Sequence, residues 1–354
     1  MGDKQVAERD VTGDLMLSSG EYKIPAFDGV VPAFGMINND ASCHFNALMQ
    51  AILSSTNVTK YIYENKSGKD KPISSDDDRR DEFNHISADP KYMIYKGIKQ
   101  ALIGSPDSTL ASRIIRFIAG TSAAKKAGYQ ISNQSACEGF TLFVDQVDLG
   151  YFYEFRYKEL VTCALCKKSK TIICDEMTHF MLPIEDRFMN PKAAEDNTLR
   201  DYILEQRFTT DGYKCDATKG CPGIGRDILH IKRLDMIPEC FTVLMPKYSE
   251  KMNLYMPDEL RFVSKSAKGE LSRKETNRVY RITALVEHSG SMGSGHYYAF
   301  VRRGDNCYAI NDNTVMRLDK LTPTINTYMV FYEFVGIEKV ADSLSFEMGN
   351  MRVR

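Results

Sequence analysis

No apolar run in the 354-residue chain approaches the 18 or so residues that read as a membrane span, and the first ten residues, MGDKQVAERD, are charged where a secretory signal is apolar. A myristoylation pattern is missing too, because Val6 stands where Ser or Thr is required. Charge of one sign is also lacking: 46 Lys and Arg against 47 Asp and Glu leave a formal net charge of −1, with both signs interspersed. No basic surface therefore calls for nucleic acid or an anionic membrane. No self-similarity recurs at roughly 20 to 50 residues, which excludes solenoids and propellers. Tryptophan is absent altogether. These absences predict an intracellular protein, cytoplasmic or nuclear, with neither nucleic acid nor membrane as partner. In that setting nine cysteines, an odd number, are expected as thiols, metal ligands or catalysts rather than as disulfides.

What is present is ordinary in bulk and specific in places. With 43% hydrophobic residues the chain is long enough to bury a core without disulfide support. From Phe45 the apolar residues Phe45, Leu48, Met49, Ile52 and Leu53 follow the i, i+3, i+4, i+7, i+8 spacing of one helix face, with Ser42 as candidate N-cap. NKSGKDKPISSDDDRRDE reads as a solvated loop. YMIYKGIKQALIG, LASRIIRFIAG and ACEGFTLFVDQV read as helices. From YFYEFRYKELVTCALC onward the texture is aromatic and β-branched, and RVYRITALVEH, GHYYAFVRR, NCYAINDNTVMRL and NTYMVFYEFV read as strands. Helices first and strands afterwards predict an α+β fold.

Cys163 and Cys166 have the x2 spacing of a metal knuckle, and Cys215 and Cys221 form a second close pair with five residues between them. Two such pairs make the ligand set of a closed, structural zinc site, with no organic cofactor expected. Cys174 is a possible substitute ligand that reads more as core.

Cys43 belongs to no such pair. At a helix start, unpaired N–H groups and the helix dipole favour a thiolate, and a nucleophilic thiolate wants an imidazole beside it. His44 is poorly placed, since adjacent helical residues point about 100° apart. The better base is His296, which ends the Gly/Ser-rich flap HSGSMGSG and begins an aromatic strand. A two-residue turn centred between Arg303 and Gly304 would bring Asn311 opposite His296, and a one-residue slip would bring Asp312. Either could fix the imidazole through Nδ1–H. An Asn is acceptable there, as Cys-His-Asn triads show. Asn38, with Asn39 as fallback, is the candidate side-chain donor to a tetrahedral oxyanion. His85, His179 and His230 receive no role, and His288 reads as a loop residue at the start of the flap.

GMINNDASCHFNALMQ resembles the cysteine box of the ubiquitin-specific proteases, G-L-x-N-x-G-N-T-C-Y-x-N-S-x-L-Q, matching it at Gly35, Asn38, Cys43, Asn46 and Gln50. SGHYYAFVRRGDNCYAINDNTV resembles the histidine box, YMVFYE the closing segment, QSACEGFTLFV the Q-D-A-x-E-F segment and IPECFTVLMPKY the L-P-x-x-L segment. The resemblance spans roughly residues 31 to 336. It implies a papain-like fold with a helical thumb at about 31–150, zinc-bearing β fingers at about 151–245 and an antiparallel palm at about 246–336. Residues 1–30 would precede it as an extension and 337–354 follow it as a tail. It implies a deubiquitinase that hydrolyses the bond after the C-terminal glycine of ubiquitin, with ubiquitin or ubiquitinated proteins as partners. Cys43 would attack, His296 act as base, Asn311 orient it, Asn38 help form the oxyanion hole and Asp312 serve as an accessory acid. Gln134, Ser135, Glu138, Ser289, Gly295 and Tyr297 would meet the substrate tail, with residues 288–295 as a blocking loop over a narrow channel. The chain departs from the pattern at Asp40-Ala41-Ser42, at His44 and Ala47, at Ser135 where an acid is usual, and at Cys307 where Trp is common. Those departures keep two alternatives in view, an inactive ubiquitin-binding scaffold and a protease for another ubiquitin-like modifier.

Overall fold

Every residue of the first long helix, α1 (Cys43–Ile52), is buried, polar His44, Asn46 and Gln50 included. A helix covered on all sides belongs at the centre of a domain, and α1 lies between a helical layer and a sheet. This arrangement comes from a computed structural model, which describes residues 27–339 apart from 40–41, 68–88, 132–134, 184, 191, 193–196, 236, 246–251, 265–275 and 292–293. The loop expected over residues 65–82 lies largely outside the described residues, as does the N-terminal extension up to residue 26.

The helical layer continues with α2 (Thr56–Ser67), α3 (Pro90–Leu102), α4 (Leu110–Gly120) and α5 (Ala136–Gln146). Three of these match the sequence expectation closely. Helix α2 was not expected, and its start is capped from far along the chain: the carboxylate of Glu333 accepts from the Ser55 hydroxyl and from the Thr56 and Asn57 amides. Helix α4 shows how the sequence makes such an element, since Leu110, Ile114, Ile115 and Ile118 fall on one face and are all fully buried. Burial of each is worth roughly 1.5–3 kcal/mol.

Strands follow. β1 (Tyr157–Cys163), β2 (Ser169–Ile173), β4 (Glu205–Phe208) and β5 (Ile228–Leu234) form an antiparallel sheet in the order β2-β1-β5-β4. The larger sheet runs β11-β10-β9-β8-β12-β6-β3, with β7 (Glu259–Ser264) pairing β8. Its members are β3 (Phe180–Met181), β6 (Cys240–Leu244), β8 (Thr276–Ser291), β9 (Ser294–Arg303), β10 (Asn306–Asn311), β11 (Thr314–Leu318) and β12 (Thr327–Lys339). Only the short β3–β6 pair is parallel among the described strands. The α+β expectation is met.

The core divides in the same way. One cluster joins α1 to α5 with Ala299, Val301 and Phe331 of the large sheet, and a second lies on the sheet around Phe180, Phe241, Tyr280 and Tyr332. The four-stranded sheet carries a third cluster with Val161, Cys163 and Ile228 as its buried members, which the remaining cysteines pack against.

Candidate active site

The start of α1 is built against the large sheet by three buried contacts. Gln50 donates to the Phe34 carbonyl at 2.7 Å and accepts from Arg303 Nη2 at 2.9 Å, so one side chain holds both the incoming loop and the end of β9. Gly35 lies against the β10–β11 turn, where a Cβ would come within 2.5 Å of Asn313 backbone atoms. The Met36 amide donates to the Asp312 carbonyl at 2.8 Å. Arg303 is fully buried with hydroxyl and carbonyl partners, and burial lowers its pKa to about 9.

Cys43 is the first residue of α1. Ser42 occupies the cap position, as expected, but its side chain makes no cap bond. The backbone amides of Tyr297, His44 and Cys43 itself are directed at the Cys43 sulfur and favour thiolate, yet burial outweighs them and, with the Asp312 charge, raises the thiol pKa above its ordinary value. The depressed thiol expected at a helix start is therefore not found in this geometry, because desolvation exceeds the amide contribution. His44 turns away, its Nε2 3.1 Å from the Tyr129 hydroxyl.

His296 lies on β9 immediately before Tyr297, whose amide meets the Cys43 sulfur, and its Nε2 is 2.6 Å from Asn311 Oδ1. An amide oxygen only accepts, so Nε2 carries the proton and Nδ1 is left as the basic nitrogen. This reverses the expected use of Nδ1–H toward Asn311. The register differs as well: Arg303 pairs with Asn306, centring the turn on Gly304-Asp305, and the β9–β10 pairs end at Ala299 with Ile310. Continued by one residue, that register puts Asn311 at Tyr298, so His296 reaches it as a diagonal neighbour on the same face. Asp312 Oδ2 stands 3.8 Å from His296 Nε2, at a backbone φ of +48°. Asn38 donates to that same oxygen at 3.1 Å, and Asn46 donates to Asp312 Oδ1 at 2.8 Å. Asn46 matches the cysteine box but received no role from the sequence, since a polar residue on a helix has no outward sign of a partner 266 residues away.

The flap differs from expectation. His288 pairs with Tyr297, Ser289 with His296, Gly290 with Gly295 and Ser291 with Ser294, so β8 and β9 run together as a hairpin whose residues 292–293 lie outside the described set. Strand pairing has absorbed the glycines and serines that suggested a loop. His288 is a buried strand residue, its ring 4.5 Å from that of Tyr297. Gly295 is required by that ring, because a Cβ there would come within 2.2 Å of His288 Nε2. Tyr297 presents its backbone to Cys43 while its side chain is buried. At the other wall, Ser135 and Glu138 form the capping box of α5, and Ser289 is exposed beside the hairpin tip; Gln134 lies outside the described residues.

Away from this site, the sulfurs of Cys163, Cys166, Cys215 and Cys221 all lie within 4.8 Å of one another, with Cys163 to Cys221 and Cys166 to Cys215 both at 3.7 Å. Gly223 lines the cradle, where a Cβ would come within 2.7 Å of Cys163 Sγ. Four convergent sulfurs with no space for a side chain among them fit a bound metal ion. Cys174 is outside this set, its thiol 3.7 Å from Glu159 Oε2.

Comparison with known proteins agrees with this arrangement. The family model described as ubiquitin carboxyl-terminal hydrolase matches residues 34–332. Ubiquitin carboxyl-terminal hydrolase 8 of Arabidopsis thaliana is 29% identical over 140 residues, which are 37% of this chain and 16% of that protein, so the chain spans a small part of that relative's length. Among solved structures, the SAGA deubiquitinating module of Ubp8, Sgf11, Sus1 and Sgf73 bound to ubiquitin aldehyde superposes with a TM-score of 0.62 at 17% identity, covering 89% of this chain and 72% of that one. The same module bound to monoubiquitin gives 0.62 at 15% identity, covering 91% and 73%. At such identities the structures speak for the fold, which is the papain-like one expected from the two boxes. The match across most of its length shows that the chain belongs to the ubiquitin carboxyl-terminal hydrolase family.

Proposed function

We propose that the chain is a thiol-dependent deubiquitinase that cleaves the peptide or isopeptide bond after the C-terminal glycine of ubiquitin through an acyl-enzyme thioester. The observation that carries this reading is the His296–Asn311 bond beside a cysteine whose sulfur receives backbone amides from both α1 and β9. Family membership and the ubiquitin-bound state of the structural relatives support the substrate assignment.

With its pKa raised, Cys43 rests as a thiol and gives up its proton as it attacks. Asn311 holds Nε2–H, so His296 Nδ1 takes that proton as general base. The sulfur adds to the carbonyl carbon of the terminal glycine, and the oxyanion is met by amides at the start of α1 and by Asn38. An amide NH2 carries two hydrogens, so the bond to Asp312 fixes Asn38 while leaving the second for the oxyanion. The C–N bond then breaks, His296 returns the proton to the leaving amine, and water attacks the thioester with His296 again as base. The substrate tail passes Ser289, Gly295 and the backbone of Tyr297 on one wall, and the start of α5 with Gln134, Ser135 and Glu138 on the other.

Zinc is the metal we assign to the four cysteines. At a Zn–S distance of about 2.3 Å a tetrahedron separates its sulfurs by about 3.8 Å, close to the 3.7 Å observed. Held by Cys163, Cys166, Cys215 and Cys221, the ion would join the β1–β2 turn to the segment before β5 and supply no step of the reaction.

Release of a fluorophore from the C-terminus of ubiquitin tests the functional reading. Turnover by the wild type, lost in Cys43→Ala and in His296→Ala, is expected. Turnover of a different ubiquitin-like modifier alone would move the assignment to that modifier.

A further inference from the structure

Asn46 lies one turn beyond Cys43 on α1 and is 2% exposed. Its amide Nδ2 donates to Asp312 Oδ1 at 2.8 Å and to the Ile37 carbonyl at 3.3 Å. The other oxygen of the same carboxylate accepts from Asn38 at 3.1 Å and stands 3.8 Å from His296 Nε2. Asp312 sits in the left-handed region at φ +48°, where side-chain residues settle only when the surroundings hold them. Its carbonyl accepts the Met36 amide. One carboxylate thus touches the oxyanion-donor candidate, faces the base and contributes charge at the nucleophile. The buried group that sets its orientation is Asn46.

We infer that Asn46 is a positioning residue, acting through Asp312 to keep that carboxylate on Asn38 and off His296. This inference rests on the deubiquitinase reading for its roles, but its geometry stands apart from the substrate. Without the Asn46 amide, Asp312 Oδ1 loses its buried donor, and the nearest cationic partner available to the carboxylate is the imidazolium of His296. Two consequences follow. Asn38 is no longer fixed, which weakens oxyanion stabilisation and lowers kcat more than it raises KM. The carboxylate, closer to His296, favours the imidazolium, so the imidazole pKa rises and the acidic limb of kcat/KM moves to higher pH. A residue that only filled space would not move that limb.

The test uses the full chain and three variants: Asn46→Ala, the isosteric Asn46→Asp, and the exchanged pair Asn46→Asp with Asp312→Asn, in which carboxylate and amide trade places. Asn46→Ala is expected to lose about 100-fold in kcat, the scale of a small misplacement of catalytic groups, with the acidic limb displaced upward. Asn46→Asp sets two carboxylates against each other and is expected to be slower still, while the exchanged pair recovers at least tenfold over it. The pH profile of Cys43 alkylation by iodoacetamide, located by mass spectrometry, reads the same geometry without any substrate and is expected to shift in Asn46→Ala. An unchanged acidic limb and alkylation profile in folded Asn46→Ala, or no recovery in the exchanged pair, would overturn the inference. A wild type that alkylates normally but hydrolyses no ubiquitin conjugate would count against the proposed function alone, with the alkylation profile still deciding the role of Asn46.

Discussion

Gly35 and Asn313 meet backbone to backbone, and that contact joins the loop carrying Asn38 to the turn carrying Asp312. In Gly35→Ala the new Cβ has no flexible side chain to displace, so one of the two segments must move. The expected result is a loss of roughly 1–3 kcal/mol in stability together with a fall in kcat, read by thermal melting and turnover on the same samples. Cys43 gives a second expectation. Burial raises its thiol pKa, and in His296→Ala nothing remains to take the proton, so alkylation should rise only above the ordinary thiol range. Wild type should alkylate at lower pH, and a profile unaltered by His296→Ala would show that the imidazole does not serve the sulfur. Cys43 and His296 stood out in the sequence because a helix start and a strand start select reactive residue types. The link from Asn46 to Asp312 did not, because it joins two common polar residues across 266 positions and depends on a positive φ that only the folded turn displays.

At the scale of elements, α2 shows where sequence reading stops. Its polar, β-branched beginning TNVTK carries a weak helical signal, and the group that caps it, Glu333, arrives from β12. Glu333→Ala removes the acceptor for a hydroxyl and two amides and should cost about 1–2 kcal/mol. The pH dependence of Glu333 has a definite sign. Burial raises its folded pKa, opposed by the Asn57 amide, the Ser55 hydroxyl and the Thr56 amide. The folded state then holds the proton to higher pH than the unfolded chain. The contribution of Glu333 is therefore largest at low pH and declines as pH rises from about 4.3, the ordinary glutamate value, to the raised folded value. Glu333→Gln should abolish that decline in denaturant titrations across the interval, and an unchanged slope would contradict the assignment. The β8–β9 hairpin illustrates the opposite error, in which glycines and serines suggested a flap but lie in paired strand. Gly295 is accounted for by the ring of His288, a contact that no local pattern records.

Over the whole molecule, the order of helices and strands was legible because periods of 3.6 and 2 are local properties. The two cysteine pairs were legible because knuckle spacing is local as well. The four-stranded sheet has a core of its own limited to Val161, Cys163, Ile228 and the partly buried residues around them, so it should depend on metal more than the rest does. Carefully prepared protein is expected to hold one equivalent of zinc, and chelation should raise hydrogen exchange in β1, β2 and β5 while α1 and β9 remain protected. Zinc well below half an equivalent would count against the four-cysteine site. The central claim is that residues 253 positions apart form one nucleophilic centre directed at the ubiquitin terminus. Its most direct measurement is mass spectrometry of the protein after reaction with ubiquitin bearing a C-terminal electrophile under reducing conditions. The account predicts a single adduct mapped to Cys43, absent in Cys43→Ala; no adduct with folded wild type, or an adduct on another cysteine, would contradict it.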